Sequence, residues 1–272
     1  MSQSELTRLP SAVPELVDQL KAGRRRKRLI FRAQFIVVWA VLIGALIGVL
    51  LATKKIDPEF ISIWSPFILG GAGLTIVICV GSIILATVLA LLGALGRLST
   101  NPVLYGVASL YVSLVRGTPL LVQIIFIYLA LPQLGIVIPA LPSGILALGF
   151  NYGAYMTEIF RAGIQAVPLG QREAAEALGM PERLVFRRIV MPQAIRIVIP
   201  AIGNDFIAMI KDSALVSVIS VTELLWRAQS VGTRHFRTLE ALIIAATIYW
   251  GLTIIFSFFQ ERLERRMARG DR

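Results

Sequence analysis

Residues 168–192 read PLGQREAAEALGMPERLVFRRIVMP, a polar, Arg-rich island between two strongly apolar runs. Residues 171–178 are mostly good helix formers, Gly179 suits the left-handed position that closes a helix, and Pro181 stops it. Pro181 also suits the first position of a second helix. Ala174, Ala175 and Ala177 carry almost no side chain, so another backbone or an aromatic ring can approach closely, while Glu173 and Glu176 offer charge to a basic partner. Such a knob either docks on another protein or packs only on its own chain.

Outward from the island the chain is apolar. Its 272 residues are 56% hydrophobic, with a mean hydropathy of +0.76, which places it in a bilayer rather than among soluble domains. The net charge of +11 comes from arginines beside apolar runs, where they set orientation and meet anionic lipid headgroups, so no nucleic-acid partner is expected. Cys79 is the only cysteine and His235 the only histidine. An internal disulfide is excluded, and neither a metal site nor a catalytic set of the Ser-His-Asp or HExxH kind is expected. No G-x-x-x-x-G-K-[ST] loop occurs, so the chain has no cradle for nucleotide phosphates and is not expected to be an enzyme or to hold a cofactor.

The hydropathy pattern predicts an all-α, polytopic bundle of about six spans. A basic tail over residues 1–28 precedes an anchor helix over 29–52, long enough to cross at 1.5 Å per residue. Residues 53–65 read as a short exterior loop, and further spans are expected near 66–95, 101–131, 143–162, 189–210 and 239–259. Residues 132–142 are a proline-punctuated turn, 214–225 an amphipathic segment, and 227–237 a basic exterior segment. Arg262, Arg265, Arg266, Arg269 and Arg272 fill a second basic tail, 261–272. Both termini are then cytoplasmic, and four crossings put the island at 168–192 on the cytoplasmic side.

Within the third span, Arg116-Gly117-Thr118-Pro119 interrupts the apolar pattern. Pro119 removes a backbone donor and Thr118 suits the cap of a restarted helix, which predicts a kinked or broken span. Arg116 then either faces a wet interior or snorkels to the headgroups. Glu158, near the inner end of the fourth span, has Arg161 one turn away as a local ion-pair partner. The fifth span carries Pro200, Asn204 and Asp205, too polar a set to face lipid, and ends at Lys211 and Asp212, which form either a gate or a local pair.

Glu173-Ala174-Ala175, Gly179, Ile189 and Pro192 stand at the spacing of the EAA loop of membrane-spanning subunits of ATP-binding-cassette importers, with Met191 where that family usually has Leu. The resemblance covers residues 66–260, through RGTPLLVQ at 116–123, AYMTEIFRAGI at 154–164, PQAIRIVIPAIGNDF at 192–206 and KDSALVSVI at 211–219, strings that look like the polar-amino-acid branch. It implies a type I importer permease fold in the bacterial inner (cytoplasmic) membrane. It also implies a coupling loop over 168–192 seated in a separate ATPase subunit that binds ATP and Mg, a second permease subunit, and an extracytoplasmic amino-acid-binding protein.

A zwitterionic cargo needs compensation at both ends for its lost hydration. Arg116 or the helix restart at Thr118 suits its carboxylate, and Glu158, Asp205, Asp212 or the carbonyls freed near Pro200 its ammonium; Asn204 and Lys211 complete the candidates for a path or gate. Two other readings stay open, an ion-coupled secondary transporter that uses Glu158 or Asp205 as proton carrier, and an ABC permease for another small polar solute.

Overall fold

A computed structural model describes residues 12–52 and 56–267, and every regular element among them is helical. The chain divides into two units, Met1–Asp57 and Pro58–Arg272. The first holds α1 (Ala12–Ala52), 41 residues long. The expected anchor at 29–52 is the apolar part of this longer helix, which runs back through the basic run at 24–28 because residues 15–28 are rich in Leu, Glu, Gln, Lys and Arg. Residues 1–11 and 268–272, parts of the two expected basic tails, lie outside the described residues, as do 53–55.

The second unit begins with α2 (Pro58–Leu69) and α3 (Ala72–Leu98). Residues 58–65 are thus helical rather than loop: Pro58 suits a first helical position, and Phe60 in the first turn and Ile68 in the third are buried. Then come α4 (Pro102–Arg116) and α5 (Leu120–Ile125), the latter continued by a π turn and a 3-10 turn to Leu134. Next are α6 (Ala140–Gln165), α7 (Leu169–Ala177) and α8 (Glu182–Val185). A π turn leads from α8 into α9 (Met191–Asp212), followed by a 3-10 stretch, Ser213–Ile219. Last are α10 (Leu224–Arg234) and α11 (Thr238–Met267).

Among the described residues, four stretches are long and apolar enough to cross a membrane, and α4 with the α5 segment makes a fifth, bent by 105°. The remaining expected span, the fourth at 143–162, is α6, which has the length at 26 residues but carries Asn151, Thr157, Glu158 and Arg161. It tolerates them because it is the most enclosed helix. Ala147, Leu148, Met156 and Thr157 are fully buried, packed on Ile78, Cys79, Ala86 and Ala90 of α3. Lipid tails are as apolar as leucine, so close backbone approach, not hydrophobicity, favours such a pair. A methyl group at Gly93 would overlap Thr157, and one at Gly149 would lie 2.6 Å from Leu85 Cδ2.

The segment at 214–225 is not one amphipathic helix. A 3-10 stretch ends at Ser220, in the left-handed region at φ 62°, and α10 starts afresh with Glu223 as its cap. The Glu223 carboxylate accepts from the Trp226 N–H (2.9 Å), from Tyr249 OH of α11 (2.6 Å) and from Thr75 Oγ1 of α3 (3.3 Å). Three elements thus meet on one fully buried acid.

Candidate functional site

The break expected at 116–119 is present, and its hydrogen bonds explain its shape. Gly117 N–H still reaches Ser113 O at 2.9 Å, so α4 closes normally. The Thr118 hydroxyl then donates to Leu114 O (3.0 Å) instead of capping the restart; Pro119 is the residue before α5. The role expected for Thr118 is therefore corrected: its hydroxyl finishes the preceding helix. Gln123 Nε2 donates to Val115 O at 2.8 Å and to Thr118 Oγ1 at 2.8 Å, and Gln123 Oε1 accepts from Asn151 Nδ2 at 3.2 Å.

Beneath this elbow lies a cavity of about 850 Å³ lined by residues 116–120, by Asn151, Tyr152, Tyr155 and Glu158 of α6, and by Asp205, Ala208 and Asp212 of α9. Five of the seven expected path residues therefore converge: Arg116, Thr118, Glu158, Asp205 and Asp212. Their states differ. Arg116 lies over the Tyr155 ring at 5.0 Å. Glu158 is held by Arg161 (2.7 Å) and by Arg97 of α3 (3.3 Å), so the expected local pair is one half of a bridge between helices. Asp212 accepts from Tyr152 OH at 2.7 Å. Asp205 has one buried carboxylate oxygen, Oδ2, with no hydrogen-bond partner among the described residues.

Asn204 and Lys211 are exposed and do not line the cavity. One helical step turns a side chain by ~100°, so Asp212 faces inward while Lys211 does not, and the two form no pair. Sequence reasoning missed Asn151, Tyr152 and Tyr155. The spacing of Asn151 and Tyr155 with Glu158 (151, 155, 158) puts those three on one helix face, a stripe that carries polar groups where a lipid-facing span would not.

The island at 168–192 forms two short helices joined at Gly179, which sits at φ 75° as expected of a left-handed closing residue. Pro181 lies just before α8, not at its first position. The three alanines divide. Ala175 is buried with Ile164, Val167, Val185, Val190 and Ala194, so it fixes the knob to its own chain. Ala174, Ala177, Glu173, Glu176 and Gly179 stay exposed, and Leu178 is 83% exposed. Ile189 packs on the same core from the π turn, and Pro192 lies exposed in the first turn of α9. Arg172 donates to Ile164 O at 2.5 Å and Gln193 to Gln171 at 2.5 Å, tying the knob to the end of α6 and the start of α9.

Residues 82–269 match the family model for the binding-protein-dependent transport system inner membrane component. The chain belongs to that family. As such a component, it is similar to the L-cystine transport system permease protein TcyB of Bacillus subtilis (strain 168), 42% identical over 76% of this chain and 89% of that protein. The arginine transport system permease protein ArtQ of the same organism is 40% identical over 76% of this chain and 94% of its own length. A crystal structure of an amino acid ABC transporter with histidines superposes with a TM-score of 0.74 at 40% identity, over 78% of this chain and 99% of that one. The MetNI methionine ABC transporter in an inward-facing conformation shares the fold at 17% identity and a TM-score of 0.61.

Proposed function

We propose that the chain is the permease subunit of an ABC importer that moves polar amino acids across the bacterial inner (cytoplasmic) membrane, driven by a separate ATPase docked on the knob. The observation that carries this reading is that the same two helices join the knob to the cavity walls. α6 lines the cavity with Asn151, Tyr155 and Glu158 and ends at the knob; α9 starts at the knob and lines the cavity with Asp205 and Asp212. A push on α7 therefore acts on two walls of the cavity as a lever, the kind of rigid displacement that alternates access.

The ATPase holds ATP and Mg. Glu173, Ala174, Gly179 and the exposed Leu178 form the docked face, while Ala175, Ile189 and Pro192 set its angle. A second permease subunit, identical or related, completes the path, a binding protein delivers cargo from outside, and both termini are cytoplasmic. The similarity to cystine and arginine permeases supports an amino-acid cargo. Within the cavity, Arg116 and the elbow meet the carboxylate. Asp205 meets the ammonium, since the Glu158 charge is already offset by two arginines and Asp212 is engaged by Tyr152.

The test is uptake into vesicles holding the permease with its partner ATPase and binding protein, using a labelled panel of arginine, glutamine and cystine. ATP-dependent accumulation of one of the panel is expected. Accumulation driven by a proton gradient without ATP would instead establish the ion-coupled reading, for which the half-buried Asp205 is the natural carrier. ATP-dependent uptake of some other small polar solute alone would overturn the cargo assignment.

A further inference from the structure

In a continuous helix Val115 O would accept from the N–H of residue 119, and position 119 is proline, which has none. A carbonyl left unmet away from water is costly. The Gln123 amide stands in for the missing donor: its Nε2 lies 2.8 Å from Val115 O, 2.8 Å from Thr118 Oγ1 and 3.2 Å from Thr118 O. Two amide hydrogens serve three acceptors, one of them shared. The other end of the same amide accepts from Asn151, a buried residue of α6 that lines the cavity. The bond from Gln123 N–H to Pro119 O, 3.2 Å, fixes the side chain's own base.

We infer that Gln123 is a positioning residue for transport, and that its amide, braced by Asn151, sets the 105° elbow that holds Arg116 and Thr118 at the cavity wall. The inference rests on the reading of that cavity as the cargo path. Without the amide, Val115 O has only the longer 3.4 Å approach of the Thr118 hydroxyl, and α5 loses its side-chain tie to α6. The elbow then samples a range of angles, and Arg116 spends less time where a carboxylate can meet it.

Gln123→Met keeps the length of the side chain and removes donor and acceptor together. In the assembled transporter, with the best-carried amino acid of the labelled panel, it is expected to raise the half-saturating concentration roughly tenfold, the scale of one lost buried hydrogen bond. Asn151→Leu should do the same in part. Gln123→Glu supplies a sharper readout: a protonated carboxyl can donate to Val115 O and a carboxylate cannot. Its uptake should recover as pH is lowered, with a profile that the parent protein lacks. A purely structural role would reduce the amount of assembled transporter and leave half-saturation and pH profile per transporter unchanged, which would overturn the inference.

A geometric measurement stands apart from the cargo. Spin labels at Leu110→Cys and Leu129→Cys, both exposed and on opposite arms of the elbow, should give a narrow distance distribution that broadens in Gln123→Met. An unchanged distribution would overturn the inference even if no panel member were carried. Loss of uptake by the parent protein would instead count against the functional reading alone.

Discussion

Gln260 of α11 donates from Nε2 to the carbonyl oxygen of Pro200 in α9 at 2.6 Å, reaching into a notch that the absent side chain of Gly203 leaves open. A methyl at 203 would overlap the Gln260 amide. The side chain is flexible enough to withdraw, at the expense of a half-buried hydrogen bond.

Gly203→Ala should therefore destabilise by about 1–2 kcal/mol, and Gln260→Ala by a similar amount. The two should not add, because each removes the same contact. Thermal unfolding of the two single variants and the double variant in detergent checks this; additive losses would show that notch and amide act independently.

Gly179 offers a way to separate strain from docking. It lies at φ 75° with no atom within 4 Å of where a Cβ would stand, so a substituent there meets nothing of this chain. Gly179→Asn tolerates the left-handed region and should retain co-purification with the ATPase. Gly179→Trp should lose both co-purification and ATP-dependent uptake while its amount in the membrane stays near that of the Asn variant.

Glu158 and Asp205 face one cavity in opposite states, which predicts opposite stability responses. Glu158→Gln unpairs Arg97 and Arg161 at a partly exposed site and should lower thermal stability by about 1 kcal/mol or less. Asp205→Asn removes a charge with a buried, unpartnered oxygen and should leave stability equal or higher, yet raise the half-saturating cargo concentration about tenfold or more. Unfolding and uptake measured on the same preparations separate the two.

Glu223, outside the spanning segments, is pushed above the usual carboxylate range by burial, against the opposing pull of its hydrogen bonds. The folded state thus favours its protonated form. The associated stability is fully present below the unfolded-state value and is lost as pH rises through the folded-state value. Relative to Glu223→Gln, the parent protein should therefore be most stable at acid pH and lose ground as pH rises through the raised folded-state value. A stability difference between the two that does not change with pH would contradict the assignment.

Much of this protein was legible in its residues. The EAA spacing, the absence of a phosphate loop and the apolar runs pointed to the family that residues 82–269 match. Pro119 announced a break in its span, and Gly179 the left-handed turn at the knob, because proline lacks a donor and glycine lacks a Cβ wherever they stand. Such signals are local: each constrains the backbone within a turn of itself.

What only the tertiary structure decided lies across helices. Asp212 faces the cavity and its neighbour Lys211 does not, Ala175 is buried while Ala174 is exposed, and Glu158 is shared between Arg161 of its own helix and Arg97 of α3. The apolar pattern placed α6 near 143–162 but could not say why it tolerates Asn151, Thr157, Glu158 and Arg161: its neighbours shield it, so it no longer has to match lipid. Nor could it find the acceptor of the Gln123 amide. A side-chain partner is chosen by how helices pack, and that choice depends on distances between residues far apart in the chain.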